Sequence, residues 1–409
     1  MNIKEVRARE ILDSRANPTV EAKVILESGE KGVASAPSGA STGAHEAHEL
    51  RDGDKRRYKG KGVKKAVNNI AEHISPAIKG IEATRQREID EKMLAIDGTK
   101  SKSKLGANAI LPVSLAVARA AASASNKELY EYLSEGKRLG LPTPMLNLIN
   151  GGAHATNNLD IQEFMIVPHG LDLPEAIRAG GEIYHTLKQI LIEKELSSAV
   201  GDEGGFAPDL SSDEEAIELL CRAIKESGYS TDKVGIALDV ASSEWYENGG
   251  YVLPKRGKSL SKSQLIDYYV SLCDKYPIIS IEDGMAEDDF DGWRELTTRL
   301  GNRIMLVGDD LFVTNIERLQ IGISEKMANA ILIKPNQIGT LSETLDVIKL
   351  AREAGYKFII SHRSGETCDT SIADIAVATD AKFIKAGAPC RGERVAKYNR
   401  LLEIYENIK

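Results

Sequence analysis

Apolar and polar positions alternate early in the chain, with Val20, Ala22, Val24 and Leu26 interleaved by Glu21, Lys23 and Ile25. A period of two predicts a strand with one buried face. Gly29 and Gly32 bracket a turn, and another short extended run starts over 33–36. Residues 38–43 are polar and glycine-bearing, which predicts a loop. Helical patterning follows, clearest from Asn108 to Leu133. These elements predict a small α+β domain over residues 1–135. The segment from Gly136 to Pro144, with its glycines and prolines, reads as a linker.

The remainder, 136–409, has another rhythm. Short apolar runs recur, each leading to a polar residue and then a turn. Ile236-Ala-Leu leads to Asp239, Ile278 to Ile281 to Glu282, and Ile304 to Val307 through Gly308 to Asp309. Ile331-Leu-Ile leads to Lys334, Phe358-Ile-Ile to Ser361-His362-Arg363, and Phe383-Ile384 to Lys385. Steps of 27, 25, 28 and 23 residues separate Glu282, Asp309, Lys334, His362 and Lys385. Each step holds one strand, one helix, such as Ser342 to Ala354, and two short loops. This predicts an α/β fold of repeated βα units with a parallel sheet. In a β/α barrel the strand ends would converge on one mouth. A doubly wound open sheet is the alternative, but no Gly-x-Gly-x-x-Gly follows a first strand.

Length agrees, because 409 residues fit one barrel of about 250 plus a smaller domain. With 42% hydrophobic and 28% charged residues the composition is that of a soluble globular chain. A net charge of -8 argues against nucleic-acid binding. Met1 to Glu10 has no apolar core and predicts no secretory signal. The most apolar long stretch, Ala107 to Ser125, contains Pro112 and Arg119 and reads as a buried helix rather than a membrane span. Cys221, Cys273, Cys368 and Cys390 lack metal-ligand spacing and fit reduced thiols in a cytoplasm.

Asp239, Glu282 and Asp309 end three neighbouring units. Three oxygen donors without Cys or His suit a hard cation such as magnesium. One acid at a strand end is commonly a solvated rim residue; three in succession favour metal binding. Lys334 and Lys385 emerge from strands, and Pro335 biases Lys334 towards an extended backbone. A lysine beside another cation and a metal loses some preference for its charged form, so it can act as a base. The run Ser361-His362-Arg363-Ser364-Gly365-Glu366 suits phosphate. Two further stretches, 201–205 (Gly-Asp-Glu-Gly-Gly) and 151–154 leading to Gln162-Glu163-Phe164, are by themselves an ordinary acidic turn and a lone histidine.

Together these stretches resemble the enolase family. Ser38-Gly-Ala-Ser-Thr-Gly43, His45-Glu46-Ala47, Gly201-Asp-Glu-Gly-Gly205, Ser280-Ile-Glu-Asp283 and Gly308-Asp-Asp-Leu311 carry the resemblance, with Asn336 to Thr340, Ser361 to Glu366 and Lys385 to Pro389. It spans nearly the whole chain. It implies a C-terminal TIM-like barrel with irregular first strands behind a smaller α+β domain. It also implies a magnesium-dependent lyase that interconverts 2-phosphoglycerate and phosphoenolpyruvate, with two ions per site.

Residue by residue, Asp239, Glu282 and Asp309 resemble ligands of the first ion, and Ser41 resembles a ligand of the second. Lys334 matches the base at C2 and Glu203 the acid at the C3 hydroxyl, with Glu163 close by. His154 resembles a contact that closes over substrate. Arg363 and Ser364 match phosphate contacts, His362 lines the site, and Lys385 matches the partner of the substrate carboxylate. Ala16, Gly284, Pro335, Thr156, Ala386 and Gly392 depart from the family pattern, but none is a proposed ligand, acid or base.

The competing readings are a racemase or cycloisomerase of the wider superfamily, and a structural protein that keeps the fold. The resemblance also implies a homodimer or larger homo-oligomer, glycolysis and gluconeogenesis as the setting, and a cytoplasmic location. A terminal Lys409 could meet a lysine-recognising partner, although an ordinary polar terminus is the better explanation.

Overall fold

The computed structural model describes residues 1–39 and 45–409. Three antiparallel strands, β1 (Ile3–Leu12), β2 (Pro18–Leu26) and β3 (Lys31–Ser35), form the first sheet in that order. In β2, Val20, Ala22, Val24 and Leu26 are buried while Glu21, Lys23 and Ile25 are partly exposed. The predicted face is therefore the observed one. β1 offers no such alternation, since only Ile3 and Val6 are buried in it.

This sheet lies on the helix Ala107–Ala124. A Cβ on Gly32 would sit 1.9 Å from the Ala116 carbonyl oxygen, so strand and helix backbones meet only because that residue is glycine. The helix is long and apolar enough to cross a membrane by length and composition, yet 83% of it is buried inside the protein. The single helix expected over 108–133 is two helices. Asn126 takes a left-handed φ of 53°, a conformation that asparagine tolerates. The second helix, Leu129–Ser134, starts with the Glu128 amide donating to Glu131 Oε2 at 2.9 Å. The linker is also shorter than expected, because Pro144 already lies in a strand.

Eight strands close a barrel: β4 (Thr143–Asn150), β5 (Glu163–Val167), β6 (Gly235–Asp239), β10 (Ile278–Glu282), β11 (Met305–Gly308), β12 (Ala330–Ile333), β13 (Lys357–Ser361) and β14 (Phe383–Lys385). Between β6 and β10 the chain adds a small antiparallel sheet of β7 (Tyr246–Glu247), β8 (Gly250–Leu253) and β9 (Lys258–Leu260). All barrel pairs are parallel except β4–β5 and β5–β6, so β5 runs against both its neighbours. These are the irregular first strands.

Alternation along the strands stacks two layers inside the barrel. Met145, Met165, Ala237, Val307, Leu332 and Ile359 belong to an apolar cluster in the interior. Two residues further towards the mouth on the same faces stand Asn147, Glu163, Asp239, Asp309, Lys334 and Ser361. Because β5 is reversed, its first residue, Glu163, is the one at the mouth, paired across the ladder with Asp239. The first domain docks beside this mouth. Ser38 and Gly365 exchange backbone hydrogen bonds of 2.7 and 2.8 Å, and the Ala47 amide donates to the Gln337 carbonyl at 2.8 Å. At the far end, Lys409 Nζ lies 4.2 Å from the ring centre of Tyr405.

Candidate active site

Asp239, Glu282, Asp309, Lys334 and Lys385, singled out as strand ends, form one charged layer. Lys385 Nζ donates to Asp239 Oδ2 at 2.9 Å and to Glu282 Oε1 at 2.9 Å, and lies 3.2 Å from Glu163 Oε1. Burial opposes a charge on Lys385, yet Asp239, Glu163 and Glu282 outweigh it and push its pKa well up. Lys334 Nζ donates to Asp309 Oδ2, and Gln337 Nε2 donates to Asp309 Oδ1 at 2.9 Å. Lys334 has the extended backbone that Pro335 favours, with φ -120° and ψ 102°. Burial and Arg363 oppose protonation, but Asp309 and Glu282 prevail, and its pKa is raised. Lys334 is an ammonium while it rests on Asp309.

Across the mouth stand Glu163, Glu203 and His154. His154 Nδ1 lies 3.6 Å from Glu163 Oε1 and 3.8 Å from Glu203 Oε1. Burial and then the Glu203 charge push Glu163 well above the usual carboxylate range. Burial opposes ionisation of Glu203 too, but His362, His154 and Arg394 hold it well below that range. Asn147 Nδ2 donates to Glu203 Oε2 at 3.1 Å. Two buried carboxyls this close resist ionising together, so the pair can hold one proton between them.

The phosphate-type run closes the circle. Arg363 Nη1 donates to Glu46 Oε2 at 2.9 Å and to Asn336 Oδ1 at 3.1 Å, which ties the first domain to the barrel. Ser364 lines the same cavity. The cavity measures ≈ 40 Å³. Ser41 lies outside the described residues. Every other residue expected in the site is at this mouth.

Several contributors had no role assigned from the sequence. Arg394, in the C-terminal helix Gly392–Ile408, is fully buried and donates to the carbonyls of Arg363 and Ser364, both at 2.6 Å, and of Asp202 at 3.0 Å. Gln162 Nε2 approaches Asp239 Oδ2 at 3.5 Å. Asp283, in a left-handed backbone conformation with φ 44°, accepts from the amides of Asp309 and Asp310 at 2.9 and 2.8 Å and so shapes the turn that presents Asp309. No spacing rule points to these residues, because each acts through a contact distant in sequence.

Residues 3–133 match the enolase N-terminal domain, and residues 138–409 match the enolase C-terminal TIM barrel domain. The chain belongs to the enolase family. Its domains are those of a lyase or hydratase, from a family that generally depends on a divalent metal. The residues present fit such an ion. Asp239, Glu282 and Asp309 offer only oxygen, and with Glu163 and Glu203 they set five carboxyl groups against two lysines. Burial and then Asp239 push Glu282 well up, and Glu163 Oε2 is buried with no hydrogen-bond partner. Both are marks of a positive charge short of balance. Asp283, Asp309 and Asp310 also place ligand atoms within 4.8 Å of one another, but both Asp283 oxygens are already taken by backbone amides.

Proposed function

We propose that this chain catalyses the reversible loss of water from 2-phosphoglycerate to give phosphoenolpyruvate, with magnesium. The reading rests above all on one charged layer in which Lys334 and Lys385 face Asp239, Glu282 and Asp309, with the Glu163–Glu203 pair opposite.

Lys334 Nζ takes the C2 proton. The electron pair becomes the C2–C3 double bond, the C3–O bond breaks, and the hydroxyl leaves as water with a proton from the Glu163–Glu203 pair. For this, Lys334 must first come off Asp309. Burial, Arg363 and Lys385 then act on Nζ with less opposition and favour its neutral form. Lys385 binds the substrate carboxylate, Arg363 and Ser364 bind the phosphate, His154 closes over the substrate, and His362 lines the site. Base catalysis supplies roughly 3–5 kcal/mol of the about 8–23 that enzymes provide, so charge stabilisation carries the larger share. Asp239, Glu282 and Asp309 would hold magnesium, whose charge supports the anion that grows on the substrate carboxylate. Ser41 would contribute to a second ion.

The test is the ultraviolet absorbance of the enol product formed from 2-phosphoglycerate, with magnesium and with a chelator. Product only with magnesium supports the reading. Turnover of a hydroxy acid without phosphate instead supports the racemase or cycloisomerase alternative. We further propose a homodimer or larger homo-oligomer, tested by sedimentation, and a cytoplasmic location.

A further inference from the structure

The sheet β7–β9 plays no part in the chemistry above, yet it reaches the loop that carries His154. That loop, residues 151–162, has little regular structure beyond a single 3-10 turn, Gly152–His154. Its outer end hangs on two fully buried carboxylates, Asp160 and Asp213. Asp213 Oδ1 accepts from the amides of Asp160 at 3.0 Å and Ile161 at 3.3 Å. Asp160 Oδ1 accepts from the Lys255 amide, in the turn between β8 and β9, at 2.7 Å. From the same turn Arg256 reaches in. Its Nε lies 3.1 Å from Asp160 Oδ2 and its Nη2 donates to Asp213 Oδ2. Among the described residues no other cation makes an ion pair with either acid.

We propose that Arg256 is a positioning residue. By bridging Asp160 to Asp213 it clamps the 151–162 loop to the barrel and holds His154 against Glu163 and Glu203. The consequence for turnover rests on the reaction proposed above; the clamp itself does not.

The charge balance explains why one guanidinium matters. Two buried carboxylates side by side resist ionising together. Burial raises Asp213, Arg256 offsets part of that, and Asp160 raises it again, to about 6. Without Arg256 the acids have no counter-charge, and the loop escapes their repulsion by moving out to water. Arg256 is itself partly exposed, so it can be replaced without opening a large cavity.

Amide hydrogen exchange on the full chain tests this. In Arg256→Gln, exchange over 151–162 rises at least about tenfold, while the helix Ala107–Ala124 keeps its protection. Arg256→Lys restores part of the protection, because a cation returns without the planar fork. The double variant Asp160→Asn, Asp213→Asn needs no counter-charge, so it folds even if Arg256→Gln does not, and its 151–162 loop loosens as well. With 2-phosphoglycerate, kcat/KM of the loosened variants falls by about tenfold or more. Unchanged exchange over 151–162 in a folded variant lacking the bridge overturns the proposal. If the wild type does not turn over 2-phosphoglycerate, the proposed reaction fails, and the exchange result still decides the clamp.

Discussion

Arg394 Nη1 lies 2.7 Å from Nδ1 of His362. A guanidinium has no acceptor, so Arg394 donates and the imidazole proton is confined to Nε2, which faces Glu203 Oε2 at 3.5 Å. One buried residue thus fixes the tautomer of His362 and pins three backbone carbonyls around the mouth. Arg394→Met removes the donor these three carbonyls share, and should cost on the order of 1–3 kcal/mol in urea unfolding. Arg394→Lys should recover part of the stability but not the fixed tautomer, which nitrogen chemical shifts of His362 would report.

His362 itself makes stability depend on pH. Burial pushes its pKa down to about 4, with Glu203 opposing and Arg394 assisting. An unfolded chain protonates this histidine below about 6.5, and the native state does not until about 4. Its contribution is complete above about pH 6.5 and is lost as pH falls to about 4, in total about 3 kcal/mol. Asp213, raised to about 6, acts with the opposite sign. The difference between wild type and His362→Asn, followed by denaturant titration from pH 7 to pH 4, isolates the histidine. The stability gap between them should narrow as pH falls.

Magnesium should stabilise the fold independently of turnover. A ligand bound only to the native state at about 100 times its Kd adds about 3 kcal/mol. The Tm should rise with magnesium, return with a chelator, and lose most of its response in Asp239→Asn. An equal rise in that variant contradicts the assignment of Asp239 as a ligand.

Ala16 stands where the family pattern has glycine, and it takes a left-handed φ of 58°. That conformation costs a residue with a Cβ about 1–2 kcal/mol. Glycine would relieve it but add about 0.4–1 kcal/mol of unfolded-state freedom. Ala16→Gly should therefore be neutral to stabilising, by up to about 1.6 kcal/mol in chemical denaturation, without altering the site.

The strand ends were legible because a buried parallel strand leaves a short apolar run, and the residue after it must face the mouth. That logic located Asp239, Glu282, Asp309, Lys334 and Lys385. It could not tell which way a strand runs, so the reversal of β5, which brings Glu163 to the mouth, had no signal. Arg394 sits in the C-terminal helix, where no sequence pattern marks it, and only the folded chain buries it. The break at Asn126 was hidden by apolar patterning that continues on both sides of it.

The most direct measurement follows the C2 hydrogen of 2-phosphoglycerate in heavy water with magnesium, alongside product absorbance, for wild type and Lys334→Ala. If Lys334 is the base, the wild type forms phosphoenolpyruvate, while the folded variant loses both product and C2 exchange by at least about 10²–10⁴-fold. Continued C2 exchange in Lys334→Ala at the wild-type rate would contradict that assignment.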